Sequence, residues 1–144
     1  MHSRDFINTL QDASVIQTIR NIESRTTAEV RVMISSRKTD DALRSAWQAF
    51  ARLGMDKTTA RNGVLIFIAP EARKFAIIGD EGIHQHCNPG QWEKLAGEMA
   101  AGFKSQDFTG ALVRVLEAVG HTLATHFPGN HDNQNELPDD VVRE

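Results

Sequence analysis

The sequence predicts an α/β fold: a three-layer α/β/α sandwich on a small mixed sheet, built from a parallel crossover plus an antiparallel hairpin, with four main helices. Three observations predict it. Apolar residues recur every three or four positions in four segments, the stripe of an amphipathic helix. Short β-branched runs lie between them, and one, Gly63 to Ala69, is aliphatic throughout, as expected of a central strand covered on both faces. Only Pro70-Glu71-Ala72-Arg73 separates that run from the next, which suits a hairpin turn and is far too short for a crossover.

Phe6, Leu10, Ala13, Ile16, Ile19 and Ile22 mark the first helix, ending near Glu23. Glu29 to Ile34 reads as the first strand because it is short and β-branched. Thr39-Asp40-Asp41 supplies capping oxygens and negative charge for a second helix, whose apolar face is Leu43, Trp47, Phe50 and Leu53 and whose C′ residue is Gly54. A polar loop follows from Met55 to Asn62, then the strands Gly63–Ala69 and Lys74–Gly79. Asn88-Pro89-Gly90-Gln91 approximates a capping box for a third helix with Trp92, Leu95, Met99 and Phe103 inward. Asp107 caps the fourth, whose stripe is Phe108, Leu112, Val115, Val119 and Leu123. The first two strands flank a helix, so they run parallel with a right-handed crossover. Both tryptophans, Trp47 and Trp92, fall on helix stripes and read as core.

A chain of 144 residues, 40% hydrophobic and 24% charged, is one globular domain. Residues 1–127 form it, and 128–144 form an acidic, disordered tail. That tail carries net −4, leaving +1 on the body, so there is no basic field for nucleic acid. The longest aliphatic run is too short to span a bilayer, and the first residues lack a signal-peptide apolar region, which predicts a cytoplasmic protein with no membrane insertion. One cysteine, Cys87, excludes an internal disulfide and a Cys-rich zinc module.

Several segments resemble the TPM-domain (phosphatase-like) family in its short form. Arg61-Asn62-Gly63-Val64-Leu65-Ile66-Phe67-Ile68-Ala69-Pro70-Glu71 is similar to its N-G-V strand ending in A-P-E. Gly79-Asp80-Glu81-Gly82-Ile83 is similar to its G-D-x-G-I loop, and Ala28 to Val32 to its opening strand. Phe103 to Leu112 resembles its F-x-x-G-D-Y-x-x-G-L helix joint, with Gln106 in place of the glycine and Phe108 in place of the tyrosine. The resemblance covers roughly residues 5–127. It implies an α/β/α sandwich and, for some members, calcium binding and acid phosphatase activity. The envelope and thylakoid roles of longer members do not transfer.

With two strands parallel and the third running back, one sheet edge collects Glu29, Arg61, Asn62, Asp80 and Glu81. Asp80 and Asn62 sit on loops flanked by Gly63, Gly79 and Gly82, which let backbone approach closely or adopt positive φ. Carboxylates, an amide oxygen and loop carbonyls are hard donors suited to Ca²⁺ or Mg²⁺. The expected metal set is therefore Asp80, Glu81, Asn62 and Glu29. The structural alternative is that Asp80 and Asn62 cap turns and that Glu29 pairs with an arginine such as Arg61. At the opposite edge Ser35, Ser36, Thr39 and the start of the second helix could hold an anion, with Arg73 and Lys74 nearby.

His84-Gln85-His86-Cys87 offers soft donors but lacks the spaced second pair of a structural zinc site. Cys87 precedes a helix start, yet Glu93 stands where a Cys-x5-Arg phosphatase needs arginine. Neither G-x-S-x-G nor a Walker loop appears. Three functions remain open: a calcium-binding accessory domain working through a protein partner, a low-specificity metal-assisted acid phosphatase, and a protein-docking module. No catalytic residue follows from the sequence.

Overall fold

The computed structural model describes residues 13–36, 38–87, 89–129 and 142–143. Their order is α1 (Ala13–Glu23), β1 (Glu29–Ile34), α2 (Ala42–Arg52), a 3-10 turn (Met55–Lys57), β2 (Gly63–Ala69), β3 (Lys74–Gly79), the one-turn α3 (Glu81–His84), α4 (Pro89–Lys104), α5 (Phe108–His126) and β4 (Val142–Arg143). The sheet order is β3-β2-β1-β4. β1 and β2 run parallel, Glu29 opposite Gly63 and Ile34 opposite Ile68. β2 and β3 run antiparallel, Val64 opposite Gly79 and Ala69 opposite Lys74. Of the expected tail, 130–141 and 144 lie outside the described residues, as do Phe6, Leu10 and Asn88, while Val142–Arg143 pair in parallel with the end of β1.

All seven residues of β2 are buried, as a central strand requires. Strand alternation then divides the interior into two cores. Val64, Ile66 and Ile68 join Val30, Val32 and Ile34 beneath α1, α4 and α5, which contribute residues such as Ile19, Met99 and Val115. Leu65, Phe67 and Ala69 join Met33 beneath α2. Each of these side chains other than Ala69 stabilises the fold by about 1.5–3 kcal/mol through burial. The sandwich is lopsided, with three long helices on one face and one on the other. α5 comes close enough to α1 that a Cβ on Gly120 would lie 2.5 Å from Ile22 Cγ1.

Two stripes are rotated from the sequence expectation. α1 buries Val15, Ile19 and Ile22, leaving Ala13 exposed and Ile16 half-buried. α2 packs through Ala46, Ala49 and Phe50, so Leu43 and Trp47 are 55% and 39% exposed rather than core. Small residues facing the sheet bring the α2 backbone close, which turns the larger ones outward. Trp47 lies edge-on to Phe50, with centroids 5.2 Å apart.

The helix ends follow capping chemistry with variations. Asp41 accepts the Arg44 N–H (3.1 Å) at the start of α2, and Gly54 (φ 72°) follows its end. The Gln91 side chain donates to Thr122 on α5. Asp107 occupies the N-cap position of α5 without a side-chain cap bond and accepts from Arg114 instead (3.2 Å). α4 ends in a Schellman motif: Asp107 N donates to Gly102 O (2.9 Å) and Gln106 N to Phe103 O (3.1 Å), with Gln106 at φ 66°.

Candidate functional site

The register gathers the carboxylate-bearing strand ends. Glu29 lies across from Gly63, and Asp80 N donates to Gly63 O (3.0 Å) just past β3. Glu29, Asn62, Asp80 and Glu81 therefore share one sheet edge. Glu29, Asn62 and Asp80 are buried, whereas the Glu81 side chain is 68% exposed.

At this edge the chain supplies its own cation. Arg61 Nε donates to Asp80 Oδ2 (2.8 Å) and Nη2 to Asp80 Oδ1 (3.1 Å), a two-pronged ion pair. Asp80 Oδ1 also accepts the Glu81 N–H (2.8 Å) and so caps α3, a helical turn that the sequence reading treats as loop. The hydrogen bond to Asp80, then its charge, pushes the Arg61 pKa further above its ordinary value. Arg61 ends a turn closed by its N–H on Thr58 O (3.2 Å) and has φ 51°, which turns its side chain back over Asp80.

Asn62 is held from both sides. Its N–H donates to Thr58 Oγ1 and its Nδ2 to Thr27 Oγ1, each at 3.2 Å. Sequence reasoning missed both threonines, because neither lies next to an acidic residue in the chain. The flanking glycines serve close approach rather than positive φ. A Cβ on Gly82 would strike the carbonyl oxygens of Ala60 and Arg61, the latter at 2.6 Å, and the Gly82 N–H donates to Arg61 O (2.9 Å). Among the described residues, no group of three or more His, Cys, Asp or Glu could hold a metal ion.

The opposite edge is differently made. Ser35 is buried with its N–H on Ile68 O (2.8 Å), and Thr39 Oγ1 pairs with Ser45 Oγ (2.7 Å). Asp41 already places a carboxylate at the α2 N-terminus, where the sequence suggests an anion could sit. Beside it opens a cavity of about 440 Å³ between the β2–β3 turn and the α4–α5 joint. Phe75, Phe103 and Phe108 line it, packed edge to face, together with Arg73, Lys74 and Lys104. Phe103 and Phe108 lie on the inward helix stripes that the sequence predicts, and with Phe75 they pack half-buried against the larger core while also lining the cavity. The sequence signal for it is Gln106, which stands where the helix joint favours glycine.

The soft donors are not assembled. His84 and His86 are exposed, and the His86 ring lies against His126 (5.8 Å) and Phe127 (5.4 Å). Cys87 joins the larger core, and burial raises its pKa, which makes it a poor nucleophile.

The family model described as the TPM domain matches residues 2–122. The NMR structure of BA42 protein from the psychrophilic bacterium Bizionia argentinensis is 32% identical, covering 94% of this chain and 93% of that one, with TM-score 0.83. The solution structure of the N-terminal domain of cg2496 protein from Corynebacterium glutamicum shares the fold at 17% identity and TM-score 0.60, over 81% of this chain and 75% of that one. No curated protein matches. Among the described residues no helix is long and apolar enough to cross a membrane.

Proposed function

The chain belongs to the TPM-domain family, and on that premise we propose that it is a binding module whose Asn62–Asp80–Glu81 corner takes a divalent cation, calcium before magnesium, in exchange for the Arg61 guanidinium. The observation that carries this reading is the unequal burial of the ion pair. Asp80 is 6% exposed at its side chain and Arg61 46%, so the carboxylate is fixed while its counter-ion sits on an arm that can swing into water. Displacing it would free Asp80 oxygens beside the exposed Glu81 carboxylate and the Asn62 amide, all hard donors. Calcium is favoured over magnesium because it tolerates irregular oxygen sets, whereas magnesium demands a near-ideal octahedron. Glu29, buried at the start of β1, would act as a neighbouring negative charge. Because the cation must displace an existing ion pair, its affinity belongs with the weak class, Kd about 10⁻⁴–10⁻³ M.

Calcium titration of isotope-labelled protein tests this reading. Amide shifts at residues 61–63 and 79–82 are expected at millimolar calcium, absent in Asp80→Asn and stronger in Arg61→Ala, where the competitor is gone. Arg61→Ala should also gain more thermal stability from calcium than the parent chain. Silence at these amides in Arg61→Ala at 10 mM (roughly ten times the weak-class Kd) sinks the reading. A second reading, metal-assisted phosphate-monoester hydrolysis, draws on the same exchange: a released Arg61 would be available to a phosphoryl oxygen beside the cation. It requires calcium-dependent turnover of a chromogenic phosphate ester that Asp80→Asn abolishes.

A further inference from the structure

We propose that the cavity at the opposite sheet edge is a binding site for a small monoanion with a ring-bearing apolar body, such as an aryl carboxylate. It is separate from the Asp80 corner, and its failure would leave the cation reading untouched. Four observations point to it. The cavity, about 440 Å³, is of the size that small-molecule sites occupy. Its floor is apolar and aromatic. Phe103 meets Phe75 and Phe108 edge to face, with centroids 5.8 and 5.5 Å away, and all three rings line the cavity, a surface chemically matched to a planar apolar guest.

Its rim is cationic. Arg73, Lys74 and Lys104 border it, and among the described residues no Asp or Glu does. Lys74 Nζ is committed to Asp40 O (2.6 Å), which leaves Arg73 and Lys104 as the groups to meet an anion. Here the contrast with Arg61 matters, since that guanidinium already has its carboxylate.

The fourth observation is backbone strain at the same rim. Three non-glycine residues among those described have positive φ, and two of them, Arg73 (55°) and Gln106 (66°), line this cavity. Arg73 closes the β2–β3 turn by donating its N–H to Pro70 O (3.1 Å), and Gln106 holds the C′ position of α4. Glycine suits both positions better. Long polar side chains there carry a conformational cost that folding does not need, and the cavity gives them a use: the guanidinium meets the charge and the amide completes its hydrogen bonds.

The test is an amide-shift titration of the full chain with three probes: 2-naphthoate, its neutral twin 2-naphthylmethanol, and inorganic phosphate as a head without a body. For 2-naphthoate the shifts should be confined to residues 68–75 and 100–108. The neutral twin should bind about tenfold more weakly, the worth of one charge-assisted contact. Phosphate should bind more weakly still. Arg73→Gly and Lys104→Gln should each weaken the naphthoate at least threefold (roughly the lower bound for losing one such contact), and together abolish its advantage over the alcohol. Arg73→Gly removes charge while relieving φ, so its melting temperature should hold, and weaker binding then cannot come from misfolding. Equal affinity for acid and alcohol overturns the proposal. So do shifts spread beyond the cavity, or phosphate binding as tightly as naphthoate.

Discussion

At the Asn62–Asp80 edge a buried carboxylate meets an arginine two residues before β2 begins, and both prongs of the guanidinium are used. At the Arg73–Lys104 edge, some six residues of strand away, cations border an open cavity that no carboxylate among the described residues lines. The first edge is closed by its own chain and the second is not. The difference teaches that a ligand must displace a counter-ion at the first edge, whereas at the second it meets charge that the fold has not paired. Carboxylate count alone would have chosen the first edge, and counting partners brings in the second.

The largest effect should come from breaking the closed edge. Gly82→Ala drives a methyl group into the Ala60 and Arg61 carbonyls, which are backbone and cannot step aside. We expect a loss of about 3 kcal/mol, seen as a fall in melting temperature of about 10 °C. An unchanged melting temperature would mean that the Asp80 corner is not the tight structure described.

A smaller effect of opposite sign is expected at the open edge. Gln106→Gly removes the strain of a side chain at φ 66° and should stabilise the protein by about 1 kcal/mol. Chemical denaturation measures it directly. If the variant is less stable, the Gln106 side chain contributes to folding, and its position needs no functional explanation.

The smallest effect concerns the segment leaving the closed edge. Burial raises the Cys87 pKa from its ordinary 9.0, so the folded protein holds the thiol proton longer than the unfolded chain. That contribution to stability is complete below pH 9.0 and is lost as pH climbs past it, because the unfolded chain ionises first. Stability measured across this range should fall less steeply in Cys87→Ala. Native Cys87 should also react with a thiol reagent far more slowly at neutral pH than after denaturation.

Period and composition determined the elements. The aliphatic run at Gly63–Ala69, the four-residue turn after it and the stripes of α4 and α5 lie where the sequence put them, because local spacing decides which residues can share a face. The same reasoning brought Glu29, Asn62, Asp80 and Glu81 to one edge, since a hairpin beside a parallel pair leaves no other arrangement. Tertiary structure decided who neutralises whom. That the Arg61 guanidinium reaches Asp80 depends on one residue at φ 51°, and a sequence does not print its dihedrals. That Trp47 faces out depends on how closely Ala46 and Ala49 let α2 approach the sheet. The cavity, too, needed coordinates, because Arg73 and Lys104 meet Phe75 and Phe108 only after strand, turn and two helices pack together. Contacts between residues near in sequence are fixed by short-range periodicity, whereas pairings across the fold follow from close packing that no local pattern encodes.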